Sequence, residues 1–324
     1  MSQMQSSFNF GLSTHPGVVK KNNEDSVFLK LDRDVDGEEI AIMLVADGMG
    51  GYHAGEVASK LVTDTIHNWW QEQNRFIFES DKPLALMATE IEKLLHDMNN
   101  SLIERSQWRK IGTTVSLLVL LKNSYLICHV GDSRIYHISS SEVTLSSDEE
   151  TEDVCKLDRD ETEELQQQTE TMPLAETGGL TQLTEDHSWV ELQLKNGLIT
   201  EAEAQSHPQR NVLLQCLGIK NQVKPYITKG SYKVNDLFLL CSDGFYTLFT
   251  KDEIERLLQP LHDKYEDLQQ ISDHLVELAN QRGAKDNVTV ALLRQRYVSE
   301  KRGIKKFISK LIKTRFSFSS GENQ

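Results

Sequence analysis

Apolar residues in this chain form short continuous runs of the length expected for buried β-strands. Residues 40–46 are all apolar and rich in branched side chains, and the run is too short for an ordinary helix. A second run lies within residues 236–246. Asp47 and Asp243 each begin the Asp-Gly pair that ends a run. Such a pair fits a hairpin turn and a metal site equally well, so the pattern leaves both interpretations open.

Further strands are predicted on both sides of these runs. Residues 8–31 predict two strands joined through a Pro-Gly turn. Between residues 111 and 138, three runs of strand-forming residues follow one another closely, which predicts a meander of antiparallel strands. The Gly-Asp pair that ends at Asp132 again fits a turn. Residues 288–293 predict a last strand.

Elsewhere the apolar residues recur at spacings of three and four, which is typical of amphipathic helices. This spacing predicts helices within residues 54–70, 87–102, 254–258 and 268–279. A further helix over residues 200–206 has two acidic residues in its first turn and ends before His207-Pro208. Trp69 and Trp70 continue an apolar stripe, so we expect them to pack in the core rather than bind a ligand.

A predicted insertion, residues 139–180, interrupts the strand pattern. Its residues 148–164 include ten acidic and two basic residues, a net charge of −8, and few apolar ones. Such a segment cannot bury enough apolar surface to offset the entropy lost on ordering. We therefore predict a disordered or loosely helical insertion, with docking of a basic partner as the less favoured alternative.

The tail, residues 299–324, differs from everything before it. Its apolar residues form a helical stripe opposite a row of lysine and arginine, which predicts a basic amphipathic helix. Through residues 301–316 it would contact an anionic membrane surface or an acidic partner. Packing on the body of the protein as an ordinary terminal helix explains the same stripe equally well.

Composition and charge narrow the function. The 324 residues are 38% hydrophobic and 26% charged, which is ordinary for a globular protein. The net charge of −14 argues against a nucleic-acid partner, because phosphate contact needs a basic face. The four cysteines form no CxxC pair and are predicted to be free thiols in a reducing compartment. With no signal-like start and no membrane-length apolar run, we expect a cytoplasmic protein.

Acidic residues at the borders of predicted strands suggest metal-dependent chemistry. Three of them directly border apolar strands and three have similar positions: Asp47, Asp243 and Asp286, then Glu24, Asp25 and Asp132. Acids that meet at one rim need cations, because like charges raise one another's pKa. Oxygen ligands suit Mg²⁺ or Mn²⁺, and a pair of such ions is a recurring device for phosphate ester hydrolysis. Lys20 and Lys21 are candidates for further positive charge at the phosphate. Periodicity alone does not show that these acids meet.

Eight motifs in order strengthen this interpretation. They are KKNNEDSV, VADGMGGYHAGEVAS, IGTTVSLLVL, HVGDSRIYHI, LTEDHSWV, ITEAEAQSHP, LLCSDGFY and GAKDNVTVAL. Together they resemble the successive motifs of the metal-dependent protein phosphatases (PPM, protein phosphatase type 2C) in their bacterial form, over roughly residues 8–294. The resemblance implies an α+β fold, a four-layer α-β-β-α sandwich of two antiparallel sheets flanked by helices, in a phosphatase domain over residues 1–298.

The resemblance also implies a function and a set of site residues. The reaction would be hydrolysis of phosphoserine and phosphothreonine on proteins, by direct attack of a water held between two Mn²⁺ or Mg²⁺ ions. The catalytic residues would be Asp47, Asp243, Asp286 and Lys20. The metal ligands would be Glu24, Asp25, Asp47, Gly48, Asp132, Asp243 and Asp286. Among these, Asp47 would be shared by both ions, Asp25 would order the water shell, and Asp132 would hold a third, weaker ion.

Two positions depart from the family's pattern. Lys20 stands where arginine is usual, and lysine lacks the bidentate fork that holds phosphate, so we expect weaker substrate binding. Met49 stands where many eukaryotic members have a histidine proposed as general acid, so we expect water to protonate the leaving group. The acidic insertion precedes the family's mobile flap, and we predict that it tunes substrate access or docks the basic tail.

Other functions fit the sequence less well. A non-catalytic phosphoprotein-binding regulator of the same fold is usually marked by loss of metal acids, and all of them are present here. A phosphatase with an aspartyl nucleophile needs a second acid that DGMGG lacks. A membrane-associated scaffold built around the tail would leave the acids unexplained. The expected partners are phosphorylated proteins and, by family analogy, a cognate Ser/Thr kinase, and we expect a monomer.

Overall fold

The computed structural model describes residues 5–50, 54–106, 111–140, 179–264 and 267–298. Most of the predicted insertion, the basic tail and Cys155 lie outside these residues. The strands are β1 (Gln5–His15), β2 (Asp25–Arg33), β3 (Glu39–Met49), β4 (Gly112–Thr113), β5 (Val115–Leu121), β6 (Ser124–Val130), β7 (Arg134–Ile138), β8 (Leu180–Gln182), β9 (Tyr226–Ser231), β10 (Leu237–Cys241) and β11 (Val288–Val298). The helices are α1 (Ala54–Phe78), α2 (Pro83–Arg105), α3 (Trp189–Lys195), α4 (Glu201–Ser206), α5 (Asp243–Tyr246), α6 (Lys251–Lys264) and α7 (Leu268–Gln281).

The described strands form two antiparallel sheets. One sheet has the order β1-β11-β10-β7-β8. The other has the order β2-β3-β5-β6-β9, with β4 paired to the end of β3. Each sheet combines strands that are distant in sequence, so the rims of the sheets collect loops from the whole chain.

The apolar run in β3 is continuous because both faces of this strand are buried. Ile40, Ile42 and Leu44 pack with α1 and α2 in one apolar cluster. Met43 and Val45, which point to the opposite face, pack against side chains of the other sheet. A third cluster joins α6 and α7 to the outer face of that second sheet. The layers are therefore helix, sheet, sheet, helix, which confirms the predicted four-layer α+β sandwich.

Several predictions for single elements are confirmed. The helices with three-and-four spacing are present, and Thr200 caps α4 with a reciprocal hydrogen-bond pair to Glu203. Trp70 is fully buried, packs edge-on against Phe78, and donates through its indole nitrogen to Asp32. The three described cysteines are free and buried.

The predicted meander between residues 111 and 138 is wrong in its last strand. β5 and β6 do pair, but β7 crosses to the other sheet and pairs with β10. Gly131 makes this crossing possible, because its φ of +119° lies in the region that favours glycine. Spacing along the chain indicated a turn here, but it could not indicate which sheet the next strand would join.

Candidate metal and phosphate site

Asp47 lies within β3, which continues to Met49, rather than in a hairpin turn. Its backbone is held on one side by Thr114, whose amide donates to the Asp47 carbonyl at 2.9 Å. The Thr114 hydroxyl accepts from the Asp47 amide at 2.9 Å, and the Thr113 hydroxyl donates to the Asp47 carbonyl at 2.9 Å. The turn interpretation of this Asp-Gly pair is therefore wrong, and the Asp47 backbone is fixed by strand-like contacts.

Asp25 lies directly opposite Asp47 on the neighbouring strand β2. Directly opposite residues in a sheet share a face, so the two carboxyl groups lie on the same side. Asp25 is buried, and its Oδ2 accepts hydrogen bonds from Ser242 and Thr289. Its Oδ1 is buried without a hydrogen-bond partner. A buried carboxylate oxygen without a partner is costly, which fits an oxygen that faces a cation or its water shell.

Asp243 and Asp286 come to the same rim from the other sheet. Asp243 is the first residue of the short helix α5, one residue beyond the end of β10 and Ser242, and Asp286 lies in the loop before β11. The two loops touch at Gly244, where a Cβ atom would stand 2.0 Å from the carbonyl oxygen of Asn287. Only glycine permits this approach, so Gly244 is needed for the close packing of the two acid-bearing loops.

Glu24 is held near Asp47 by close backbone packing. The Glu24 carbonyl accepts from the Gly48 amide at 3.1 Å, and the Glu24 amide donates to Asn287 Oδ1 at 2.8 Å. A Cβ atom on Gly55, in the first turn of α1, would stand 2.9 Å from the carboxyl carbon of Glu24. A Cβ atom on Gly48 would stand 2.2 Å from the Gly55 carbonyl oxygen. These two glycines therefore bring the Gly48 backbone, the Glu24 carboxylate and α1 together.

Asp132 is presented by the loop that crosses between the sheets. The Gly131 carbonyl accepts from the His187 amide at 2.7 Å, and the Gly131 amide donates to His187 Nδ1 at 3.2 Å. Two residues later, Arg134 forms three hydrogen bonds of 2.8–3.1 Å with Asp186 and stacks over the Tyr246 ring. This Arg134 clamp joins the segment of Asp132 to the segment of Asp186 and to α5.

The acids interact strongly with one another. Burial raises the pKa of Asp25 to about 7 and that of Asp243 to about 6. Burial, followed by the charges of Asp25, Asp243 and Asp132, raises the pKa of Asp47 well above its usual range. Burial and the charge of Asp243 do the same for Asp132.

Clustered carboxyl groups have raised pKa values when no cation is bound, because only protons then reduce their mutual repulsion. Among the described residues, no three His, Cys, Asp or Glu side chains converge in the arrangement of a formed metal site. The acids are close enough to raise one another's pKa, but one carboxylate oxygen of Asp25 and one of Asp286 are already bonded to protein donors. The oxygen donors, the partnerless Asp25 Oδ1 and the glycine packing at Gly48 together fit Mg²⁺ or Mn²⁺.

Lys20 lies at the edge of this acid cluster. Its ammonium group is 3.0 Å from Asp286 Oδ1, and both side chains are about half-exposed. Burial alone would lower the pKa of Lys20, but the hydrogen bond and charge of Asp286, with Glu24 and Asp47, raise it. Lys20 therefore stays cationic beside the acids, where the sequence predicts a phosphate contact. The loop that contains Lys20 is fixed by Asn287 Nδ2, which donates to the carbonyls of Pro16 and Asn22.

Comparison with known proteins identifies the family. A family model described as protein phosphatase 2C matches residues 18–280. The chain belongs to the protein phosphatase 2C family. This membership confirms the resemblance seen in the eight sequence motifs. It also confirms the prediction of a serine/threonine phosphatase and does not favour a non-catalytic regulator.

Named relatives in the family are bacterial phosphatases. Protein phosphatase PhpP of Streptococcus pneumoniae serotype 2 is 30% identical over 286 residues, covering 87% of this chain and 95% of the relative. Serine/threonine phosphatase stp of Listeria welshimeri is 27% identical over 295 residues, covering 89% and 96%. The solved serine/threonine phosphatase of S. agalactiae has a TM-score of 0.67 and 27% identity, covering 89% and 99%.

A further solved relative bears on the metal. The catalytic domain of the serine/threonine protein phosphatase PstP, in complex with two manganese ions, has a TM-score of 0.63 and 25% identity. The match covers 90% of this chain and 100% of that domain. Protein phosphatase 2C enzymes are metal-dependent and act on phosphorylated proteins, which agrees with the predicted metal requirement and substrate class.

Of the helices that the structure describes, none is sufficiently long and apolar to span a membrane.

The structure also shows residues that the sequence reasoning missed. Asn287 holds Glu24 and the loop of Lys20, and Ser242 and Thr289 hold Asp25. Gly55 allows the close approach to Glu24. Asn287 and Ser242 are direct neighbours of the predicted ligands Asp286 and Asp243, and polar residues next to ligands are the signal that could have found them.

Proposed function

We propose that this protein hydrolyses phosphoserine and phosphothreonine on protein substrates with two bound Mn²⁺ or Mg²⁺ ions. The observation that supports this most strongly is the set of mutually repelling carboxyl groups around Asp47, of which Asp25 and Asp132 are buried. Such a cluster is costly in the folded protein unless cations bind to it. When bound, the ions would supply an activated water and neutralise charge on the phosphate.

Each residue has a role in this proposal. Asp47 would be a ligand of both ions, and Gly48 would offer its carbonyl oxygen. Asp243 and Asp286 would complete the ligands of one ion, and Glu24 would hold the other with waters ordered by Asp25. Asp132 would hold a third, weaker ion. The full set of proposed catalytic residues is Asp47, Asp243, Asp286 and Lys20.

Lys20 binds and orients the phosphate in this proposal. Its ammonium group already lies within contact distance of Asp286, so it can reach a phosphate at the same rim. The positive charge offsets the negative charge of the phosphate oxygens during direct attack by water. Residue 49 is methionine and not histidine, so the leaving group takes its proton from water.

Hydrolysis of a phosphothreonine peptide tests the function. Phosphate release should require Mn²⁺ or Mg²⁺, stop with a chelator, and fall at least about 100-fold in Asp47→Asn, since even outer-shell changes often cost about 10–100-fold. Asp64→Asn is the matched control, because Asp64 is an exposed aspartate on α1. Well-folded protein that releases no phosphate with either metal would refute the proposal.

A further inference from the structure

Two hydroxyl groups from one sheet hold the carboxyl group of Asp25, which belongs to the other sheet. Ser242, which follows β10, donates through Oγ to Asp25 Oδ2 at 2.8 Å. Thr289, on β11, donates through Oγ1 to the same oxygen at 2.6 Å. Both hydroxyl-bearing residues are buried. Asp25 Oδ2 is thus occupied by two protein donors, while Asp25 Oδ1 has no hydrogen-bond partner.

The hydrogen bonds behind Thr289 have a fixed direction. Thr14 Oγ1 lies 2.7 Å from Thr289 Oγ1, and Asn23 Nδ2 donates to Thr14 Oγ1 at 2.7 Å. A hydroxyl has one hydrogen, and that of Thr289 is used on Asp25, so Thr14 must donate to Thr289. The donors therefore run from Asn23 through Thr14 and Thr289 to Asp25. The Asp25 amide donates to Asn23 Oδ1 at 3.1 Å and closes the ring.

Strand pairing fixes the members of this ring. Thr14 and Thr289 are directly opposite each other on β1 and β11. Ser242 accepts from the Thr289 amide at 3.0 Å, which fixes the position of its hydroxyl. Asp25 is directly opposite Asp47 across β2 and β3. The ring thus orients one oxygen of Asp25 toward the second sheet and leaves the other for the acid cluster.

We propose that Ser242 and Thr289, supported by Thr14, are positioning residues that set the metal affinity of the site through Asp25. This inference rests on the proposed metal-dependent function. Hydrogen-bond partners behind metal ligands typically change metal affinity by about 10–100-fold when they are removed. The competing interpretation is that these hydroxyls only join the two sheets, in which case their removal lowers stability and leaves metal affinity unchanged.

Calorimetric titration of the full chain with Mn²⁺ separates the two interpretations. Thr289→Val and Ser242→Ala should each weaken Mn²⁺ binding about tenfold, and Thr289→Ser should restore it because the donor returns. Thr63→Val and Ser272→Ala are the matched controls. Their hydroxyls are also buried, but they bond to helix carbonyls on α1 and α7 away from the acids. The controls should bind Mn²⁺ as the wild type does.

The outcomes are distinct. Unchanged Mn²⁺ affinity in folded Thr289→Val and Ser242→Ala, with only a lower melting temperature, would overturn the positioning role. If Thr289→Val does not fold, Ser242→Ala and Thr14→Val decide the question in the same titration. A wild-type protein that binds Mn²⁺ but releases no phosphate contradicts the proposed function and not the positioning role. A wild-type protein that binds no Mn²⁺ overturns both.

Discussion

At the scale of single residues, the site depends on pairs in which one residue carries the chemistry and another holds it. Asp47 is fixed by backbone contacts to Thr113 and Thr114, and Asp25 by two hydroxyls. The acidic residues proposed as metal ligands can be recognised in the sequence because they border apolar runs. Among their supports, Ser242 is marked by its place next to Asp243, but nothing in the spacing of Thr113, Thr114 and Thr289 marks them before strand pairing is known.

Lys20 gives the first prediction. Lys20→Arg should lower the KM for a phosphothreonine peptide on the order of tenfold, because the guanidinium group can hold phosphate through two hydrogen bonds. The turnover number should change little. Lys21→Arg is the matched control, since Lys21 is the exposed neighbouring lysine. Steady-state kinetics of the three proteins check this, and a KM that stays the same in Lys20→Arg would argue against a phosphate contact.

At the scale of elements, the sequence predicted most helices and strands but not how the strands are shared between sheets. Apolar spacing depends on which faces are buried, and β3 is buried on both, so its run is easily recognised. The crossing of β7 to the other sheet depends on contacts with β10, about 100 residues later. The short helix α3 and the strand β9 have weak patterns because they bury little apolar surface, and they were not predicted.

The Arg134 clamp gives an element-scale prediction. Asp186 is buried, and Asp186→Asn would leave the Arg134 guanidinium without its charge partner. Removing one member of a largely buried pair costs up to about 3 kcal/mol of unfolding free energy. The exposed pair of Arg282 and Glu253 is the control, and Glu253→Gln there should lower the unfolding free energy much less, because solvent screens an exposed ion pair. Urea denaturation measures both losses, and equal losses in the two variants would contradict the clamp.

At the scale of the whole molecule, the two sheets meet at one rim and bring distant acids together. Asp25 and Asp47 come from one sheet. Asp243 follows a strand of the other sheet, and Asp286 precedes one. The sequence showed which residues carry acids at strand borders, and the ordered motifs indicated the family. Only the packing of the sheets shows that these acids share one site, because that contact joins residues more than 200 positions apart.

This arrangement links stability to pH in a definite direction. The pKa of Asp25 is about 7 and that of Asp243 about 6 in the folded metal-free protein, against 3.8 in an unfolded chain. Between about pH 4 and pH 7 the folded state therefore holds more protons than the unfolded state. Stability from these groups is fully present below about pH 4 and is lost as pH rises through the folded pKa values.

The last prediction follows from this loss of stability with rising pH. In chelator, the melting temperature of the wild type minus that of Asp47→Asn should fall by about 5 °C or more between pH 5 and pH 7.5. The reason is that the substitution removes one of the repelling charges. Mn²⁺ should abolish the fall, since bound cations replace the protons. Asp64→Asn should behave as the wild type does. Parallel melting curves for wild type and Asp47→Asn at every pH would show that the acids do not repel one another in the folded protein.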